Sequence, residues 1–321
     1  MHTNERQSSE AGVIIPVLNR AQTLVRTLPY VTAQTAPPRQ LVIVDDGSGD
    51  DSAAAAEQWL SEHAPAFAWQ VIRTQHAGAA TARNLGLAAL RDTPFVAFLD
   101  SDDHWPVDFL ERTARLLRAN PVAVAASVDR RFLASDGTLL QQDDCSALAN
   151  EPIHWMFFRG AGIASCTLLR LDAVNRVGNW PDQLRFAEDL KLFIDIAQRG
   201  PWLHSPGAPV EFDLGYAAAC GEEDNLSRRY EGADWRWVCV YEQIFQELCA
   251  RNVPVDRSKL QQAIAVVWDR AGKHLLTRGQ RGEAQDCFLK SIRWKPSQFR
   301  AWKRLVLNAL LAGPRLADAK K

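Results

Sequence analysis

Short apolar runs alternate with longer amphipathic segments over the first third of the chain. The runs are rich in β-branched residues, as in buried strands, and the segments space their apolar residues as helices packed on a sheet do. This alternation predicts β-α-β units around a mainly parallel sheet. The predicted strands are 13–17, 41–44, 68–73, 95–99 and 122–128. The predicted helices are 19–35, with Asn19 as its cap, 51–62, 78–90 and 105–119.

Beyond residue 128 the pattern becomes less regular and then changes class. A hairpin is expected around Asp136-Gly137, strands at 163–169 and 210–216, and a helix at 188–198. From about residue 234 only helical spacing continues. Within this region Trp268 and Trp302 lie 34 residues apart, which fits a tetratricopeptide-like pair of helices. We therefore expect an α/β domain followed by an all-α C-terminal appendage.

Composition excludes several classes of protein. The 321 residues are 47% hydrophobic and 23% charged, which is ordinary for a globular chain. No apolar stretch is long enough for a membrane span, and the first residues lack the apolar core of a signal peptide. The six cysteines show no C-x-x-C spacing, so neither a zinc site nor a disulfide framework is indicated. We expect a soluble, cytoplasmic protein.

Charge is distributed unevenly along the chain. Residues 251–321 contain 16 Lys or Arg and 5 Asp or Glu, a net charge of +11, which leaves −12 for residues 1–250. A basic C-terminal region can bind an anionic partner, such as the inner face of a membrane, as a peripheral protein. The alternative is a solvated helical surface without a partner.

Three carboxylates follow the predicted strand 95–99. Asp100, Asp102 and Asp103 would repel one another by about 1 kcal/mol per pair even in water at ~4 Å. A divalent cation would relieve this repulsion, and oxygen ligands suit Mg²⁺ or Mn²⁺. The alternative is structural, because Asp102 or Asp103 could cap the helix predicted to begin near Trp105.

A second acidic turn lowers the weight of that alternative. Asp45 and Asp46 follow the predicted strand 41–44 and precede a glycine turn. Parallel strands end at the same edge of a sheet, where open α/β folds bind their ligands. Both acidic turns are therefore expected to face one ligand.

Five segments in order resemble the inverting glycosyltransferases of family 2, enzymes of the GT-A fold with nucleotide-sugar donors. The resemblance covers about residues 11–230. The segments are VIIPVLNRAQTL at 13–24, LVIVDDGSGD at 41–50, HAGAATARNLGLAAL at 76–90, FVAFLDSDDHW at 95–105 and VGNWPDQLRFAEDLKLFIDIAQRG at 177–200.

The resemblance implies a donor site built by the first three segments. The residues expected around the nucleotide are Pro16, Asn19, Asp45 and Asp46. Gly78 opens a helix whose N-terminus favours a phosphate group, and Arg83 follows it. For Arg83 the structural alternative is a surface salt bridge.

The last two segments supply the implied metal ligands and the base. By resemblance, one carboxylate among Asp100, Asp102 and Asp103 contacts the ribose and another holds Mn²⁺ or Mg²⁺ at the diphosphate; Asp102 is the first choice for the metal, with Asp103 close behind. Asp189 is the implied general base, and Glu188 supports it or contacts the acceptor. Trp180, Phe186 and Trp202 could stack on a sugar, although packing is the simpler interpretation.

The implied function is a metal-dependent, inverting transfer of one sugar. The donor is expected to be UDP-linked and the acceptor a cell-surface polysaccharide, glycolipid or protein, with no nucleic-acid partner. Processive relatives carry Q-x-x-R-W, whereas Ala233 stands three residues before Arg236-Trp237 here. The alternative function is a scaffold with a vestigial donor site, whose basic helical tail binds a partner protein.

The expected domain organisation follows from these assignments. Residues 1–10 are expected to be a disordered tail and 11–232 a glycosyltransferase domain. Within that domain, 11–128 would bind the nucleotide-sugar and 129–232 the acceptor. Residues 233–321 would form the helical, partly tetratricopeptide-like region.

Overall fold

The computed structural model describes residues 8–214 and 235–311. The chain divides into two compact units, Met1–Asn225 and Leu226–Lys321. The domain boundary predicted at 232/233 lies outside the described residues. So do residues 1–7 of the predicted disordered tail, whereas Ser9 is buried and its backbone N–H donates to the Pro37 carbonyl at 2.9 Å.

The N-terminal unit begins with the predicted β-α-β units. Its first strands are β1 (Ala11–Val17), β2 (Gln40–Asp45), β3 (Ala68–Arg73) and β4 (Phe95–Phe98). The helices around them are α1 (Ala21–Thr32), α2 (Ser52–His63), α3 (Ala79–Ala89) and α4 (Phe109–Ala119). The middle strands are buried on both faces, which is why they read as continuous apolar runs.

Shorter elements follow in the less regular part of the unit. The strands are β5 (Asp103–His104), β6 (Ala125–Ser127), β7 (Arg130–Leu133), β8 (Leu139–Asp143), β9 (Thr167–Arg170), β10 (Trp202–His204) and β11 (Val210–Asp213). The helices are a 3-10 turn (Ser146–Ala149), α5 (Pro152–Arg159), α6 (Leu171–Arg176) and α7 (Glu188–Ala197). The antiparallel pair β7 and β8 confirms the predicted hairpin, with Gly137 in the left-handed region at φ 82°.

Two sheets organise the described part of this unit. The larger has the strand order β10-β6-β9-β4-β1-β2-β3, in which β9 runs antiparallel to both neighbours and the other pairs are parallel. The smaller has the order β5-β11-β7-β8. The carboxyl ends of β1, β2, β4, β6 and β10 therefore share one edge of the larger sheet, as the predicted mixed, mainly parallel fold requires.

Helix α3 approaches β1 closely because one of its residues has no side chain. A Cβ atom on Gly86 would lie 2.5 Å from Ile14 Cγ2. The close contact holds the N-terminus of α3 at the carboxyl edge of the sheet, beside the ends of β1 and β2.

Two predicted helix starts were wrong. Helix α1 begins at Ala21 rather than Asn19, because Asn19 adopts φ 53° and its Oδ1 accepts from the Gly49 N–H instead of capping the helix. Helix α4 begins at Phe109, because Asp103 and His104 pair with β11. That pairing excludes the interpretation of Asp103 as a helix cap.

The C-terminal unit is helical throughout its described residues. It contains α8 (Trp237–Ala250), α9 (Arg257–Thr277), α10 (Arg281–Trp294) and α11 (Phe299–Leu311). Helices α9 and α10 cross where Gly272 leaves room for Phe288, whose Cε1 would lie 2.5 Å from an added Cβ. Within the described ranges, every helix is too short or too polar to span a lipid bilayer.

Candidate active site

Two predicted binding residues hold the loops after β1 and β2: Asn19 joins one loop to the other, and Asp45 closes the second loop on itself. Asn19 Oδ1 accepts from the Gly49 N–H at 2.7 Å, and Asp45 Oδ1 accepts from the Ser48 N–H at 2.8 Å. Pro16 pairs with Val44 of β2, beyond the last β1 residue that pairs with β4. Its missing N–H therefore breaks no ladder hydrogen bond. These residues shape the wall of the crevice at the sheet edge.

Asp46 ties the end of β2 to the start of α3. Its carboxylate accepts from the Ala77 N–H at 2.8 Å and the Gly78 N–H at 2.9 Å, and His76 Nδ1 lies 2.9 Å from it. Gly78 precedes α3 at φ 99°, and a Cβ there would meet no atom within 4 Å. The N-terminus of α3 therefore opens onto free space beside Asp46.

Arg20 neutralises one carboxylate of the loop after β4. Its guanidinium forms an ion pair with Asp102, and both side chains are 10% exposed. Thr27 of α1 donates to the Ser101 carbonyl at 2.8 Å, so α1 and the residue that precedes it hold this loop at two points. Burial raises the pKa of Asp102. The negative charge of Asp100 raises it further, whereas the positive charge of Arg20 lowers it, and the net shift is upward.

Asp103 is the most deeply buried carboxylate of the group. Its Oδ2 has no hydrogen-bond partner within the part of the chain that the structure describes. Burial first, and then repulsion from Asp102 and Asp100, raise the pKa of Asp103 well above its ordinary value. An additional cation at this point would favour its ionised form.

Arg83 connects the start of α7 with the acidic loop, the loop after β4 that carries Asp100, Asp102 and Asp103. Its Nη2 donates to Asp100 Oδ1 at 2.7 Å, and its Nη1 lies 3.7 Å from Glu188 Oε1. The guanidinium also lies 4.3 Å from the centroid of the Trp180 ring. Burial alone would lower the pKa of Arg83, but the carboxylates around it, including Asp189, raise it. The structural alternative of a surface salt bridge is wrong, because the Arg83 side chain is only 8% exposed.

Glu188 and Asp189 begin α7 as a half-buried acidic pair. Burial and the neighbouring Asp189, opposed by Arg83, raise the pKa of Glu188 to about 7. Burial also raises the pKa of Asp189, although its Oδ1 accepts from the Leu190 N–H at 2.7 Å. A carboxylate with a raised pKa is a stronger proton acceptor, which suits a general base at neutral pH.

The donor set after β4 fits a divalent cation. Asp100, Asp102 and Asp103 offer only oxygen ligands, and one of these oxygens is the unpartnered Asp103 Oδ2. A second group lies elsewhere in the unit, where ligand atoms of Asp129, Asp144 and His204 are within 4.8 Å of one another. In that group Asp129 already accepts from His204 and from the Cys145 N–H, so its charge is partly satisfied.

Sequence reasoning missed two residues that organise this site. Arg20 directly follows Asn19, and a basic residue at the same sheet edge as three carboxylates was the available signal. Ser165 accepts from the Asp100 N–H at 3.1 Å through its hydroxyl and from the Trp105 indole at 2.6 Å through its carbonyl. No local pattern indicated Ser165. The aromatic residues Trp180 and Trp202 are each 1% exposed and pack in the core.

The sequence matches a known family and named relatives. Residues 12–167 match the family model described as glycosyl transferase family 2. AmsB of Erwinia amylovora, an amylovoran biosynthesis glycosyltransferase, is 30% identical over 133 residues, which are 41% of this chain and 42% of AmsB. The first curated relatives that the chain matches are longer proteins, of which it spans 31% and 27%.

Solved glycosyltransferase structures share the fold. S. aureus TarS in complex with UDP-GlcNAc is 18% identical, with a TM-score of 0.63 over 93% of this chain and 88% of that chain. The mannosyltransferase PcManGT from Pyrobaculum calidifontis, in complex with GDP-Man and Mn²⁺, is 19% identical, with a TM-score of 0.56 over 94% of this chain and 80% of that chain. These likenesses identify the fold as GT-A. Residues 12–167 of this chain form a domain of glycosyl transferase family 2.

Proposed function

We propose that this chain is a metal-dependent, inverting glycosyltransferase that moves one sugar from a nucleotide-sugar donor to an acceptor hydroxyl. The observation that carries the proposal is the bridge by Arg83 between Asp100 of the acidic loop and Glu188 beside Asp189. A carboxylate of the proposed donor site and the acidic pair that contains the proposed acceptor base therefore lie around one buried guanidinium, that of Arg83. A UDP-linked donor is our first choice, and Asp46 and Gly78 would lie at its nucleotide and diphosphate.

The chain's own residues supply the proton acceptor. Asp189 would take the proton from the acceptor hydroxyl while the hydroxyl oxygen forms its bond to the anomeric carbon. The bond from that carbon to the diphosphate breaks on the opposite face, which inverts the centre. Arg83 would hold Glu188 and Asp100 in place on the two sides of this reaction, because it contacts both carboxylates.

A divalent cation is proposed on Asp102 and Asp103. When bound, it would neutralise the charge that develops on the departing diphosphate. Mn²⁺ is bound in PcManGT, and the unpartnered oxygen of Asp103 supports a cation here. The acceptor is proposed to be a polysaccharide, a glycolipid or a protein.

Donor turnover tests the proposal. The purified chain is incubated with Mn²⁺ or Mg²⁺ and a panel of nucleotide sugars, and release of nucleoside diphosphate is measured. We expect turnover that EDTA abolishes and that Asp102→Asn removes. If the chain binds no nucleoside diphosphate in the presence of either cation, the scaffold with a vestigial donor site replaces this function.

A further inference from the structure

Helix α11 turns an apolar face to the solvent. Phe299 is 77% exposed, Trp302 46% and Val306 54%. These residues are three and four positions apart, so their side chains form one stripe along the helix. Leu307, 46% exposed, lies beside it. A contiguous apolar stripe of this kind marks a binding surface, whereas single exposed apolar residues do not.

The opposite side of α11, packed towards α9 and α10, is small and polar. Ala301 is fully buried, and Asn308 Nδ2 donates to the Arg281 carbonyl at 3.1 Å. Arg304 forms an ion pair with the buried Asp269 of α9. The helix therefore packs through its polar side and exposes its apolar side, the reverse of an ordinary surface helix. Packing with these neighbouring helices leaves the apolar stripe unused.

Basic side chains share the exposed side of α11 with the stripe. Arg300 and Lys303 are exposed, and Lys303 lies within the stripe, four positions from both Phe299 and Leu307. Residues 281–308 contain seven Lys or Arg and two Asp or Glu, a net charge of +5. An exposed apolar stripe with an aromatic ring and with basic side chains, whose long apolar stems let the charges reach the headgroups, is the pattern of a helix that lies in the interface of an anionic membrane. This charge favours a lipid surface over a neutral protein partner.

We propose that the α11 stripe, formed by Phe299, Trp302, Val306 and Leu307, binds the surface of a membrane that contains anionic lipid. The apolar side chains would enter the boundary between headgroups and acyl chains, while Arg300 and Lys303 contact lipid phosphates. Binding would be reversible, because one short helix buries little apolar area. This proposal depends on the proposed function at one point: the membrane would supply the glycolipid acceptor.

Flotation of the full chain with vesicles tests this surface. The vesicles contain phosphatidylcholine with or without phosphatidylglycerol. We expect binding to the anionic vesicles that added salt weakens. The double variant Phe299→Ser/Val306→Ser should lower the bound fraction about tenfold, because it removes much of the inserted apolar area. The matched control is Leu289→Ser on α10, an apolar residue that is 47% exposed outside the stripe and should bind normally.

Several outcomes would overturn the proposal. One is the absence of binding to anionic vesicles, and another is binding that the double variant leaves unchanged. If the double variant instead converts a dimer to a monomer in light scattering and vesicles do not bind, the stripe joins two copies of the chain. Far-UV circular dichroism checks that each variant is folded.

Donor turnover measured without vesicles separates this proposal from the proposed function. Phe299 and Val306 belong to the C-terminal unit, whereas every residue assigned to catalysis belongs to the N-terminal unit, so turnover should be unchanged in the double variant. Normal turnover with no vesicle binding would overturn the membrane surface alone.

Discussion

The guanidinium of Arg20 lies against the carboxylate of Asp102, 82 residues further along the chain. The pair joins the start of α1 to the acidic loop after β4, and both side chains are largely buried. An arginine at this position competes directly with any cation for Asp102. At the proposed metal site, a metal ion would therefore either displace the Arg20 guanidinium from Asp102 or share the Asp102 carboxylate with it.

Replacement of Arg20 should tighten metal binding and weaken the fold. Arg20→Gln removes one positive charge beside Asp102, so we expect affinity for Mn²⁺ alone to rise about tenfold, by titration calorimetry. In EDTA the same variant should lose about 3 kcal/mol of unfolding free energy, because a buried carboxylate loses its partner. The matched control is Arg26→Gln on α1, the helix that Arg20 precedes, because Arg26 pairs with a different carboxylate, that of Asp213. Unchanged or weaker Mn²⁺ binding by Arg20→Gln would contradict the competition.

Removal of the proposed base should affect the chemical step. Asp189→Asn keeps the shape of the side chain but cannot accept a proton, so kcat should fall about 10²–10⁴-fold with little change in donor KM. Steady-state kinetics with the donor found in the panel gives both constants. Asp195→Asn, six residues later on α7, is the control and should keep kcat within a small factor. Equal losses in the two variants would assign Asp189 a structural role only.

Glu188 should make stability depend on pH. Its pKa is about 7 in the folded protein and 4.5 ordinarily, so the folded state holds this proton more tightly than the unfolded state does. The unfolding free energy should therefore fall as pH rises from 4.5 to about 7. Glu188→Gln should remove a few kcal/mol of this fall at most, measured by urea unfolding across that range. The control is Glu62→Gln, an exposed residue on α2, which should keep the wild-type dependence of unfolding free energy on pH. If Glu188→Gln also keeps that dependence, the raised pKa of Glu188 is refuted.

Gly78 should tolerate no side chain, although space is available. At φ 99° an alanine is strained, at a cost of about 1–3 kcal/mol. The strain would also shift the backbone N–H of residue 78, which donates a hydrogen bond to the Asp46 carboxylate. We expect Gly78→Ala to lower stability in thermal unfolding and to raise donor KM. Gly282→Ala on α10 is the control, because its Cβ also meets nothing within 4 Å and its backbone is helical. If both variants behave alike, the positive φ of Gly78 has no functional weight.

The pattern of apolar positions alone determined most of the architecture. Buried strands such as β2 and β4 must be continuously apolar, because helices cover both faces of the sheet. The sequence therefore predicted that these strands exist and where along the chain they occur. The carboxylates after these strands were equally legible, because parallel strands carry their ends to one edge. The first and last residues of helices and strands were harder to predict. The start of α4, for example, depends on the pairing of Asp103 with Phe212 of β11, which is distant in sequence.

Only the tertiary structure decided which charges meet. Arg20 with Asp102 and Arg83 with Glu188 are pairs between residues far apart in sequence, and no periodicity relates them. The antiparallel insertion of β9 between β4 and β6 was equally invisible. Local spacing records which face of an element is buried, whereas the partner of a buried charge depends on how separate elements pack. The sequence therefore predicted the acidic edge, and the fold decided that arginines hold it.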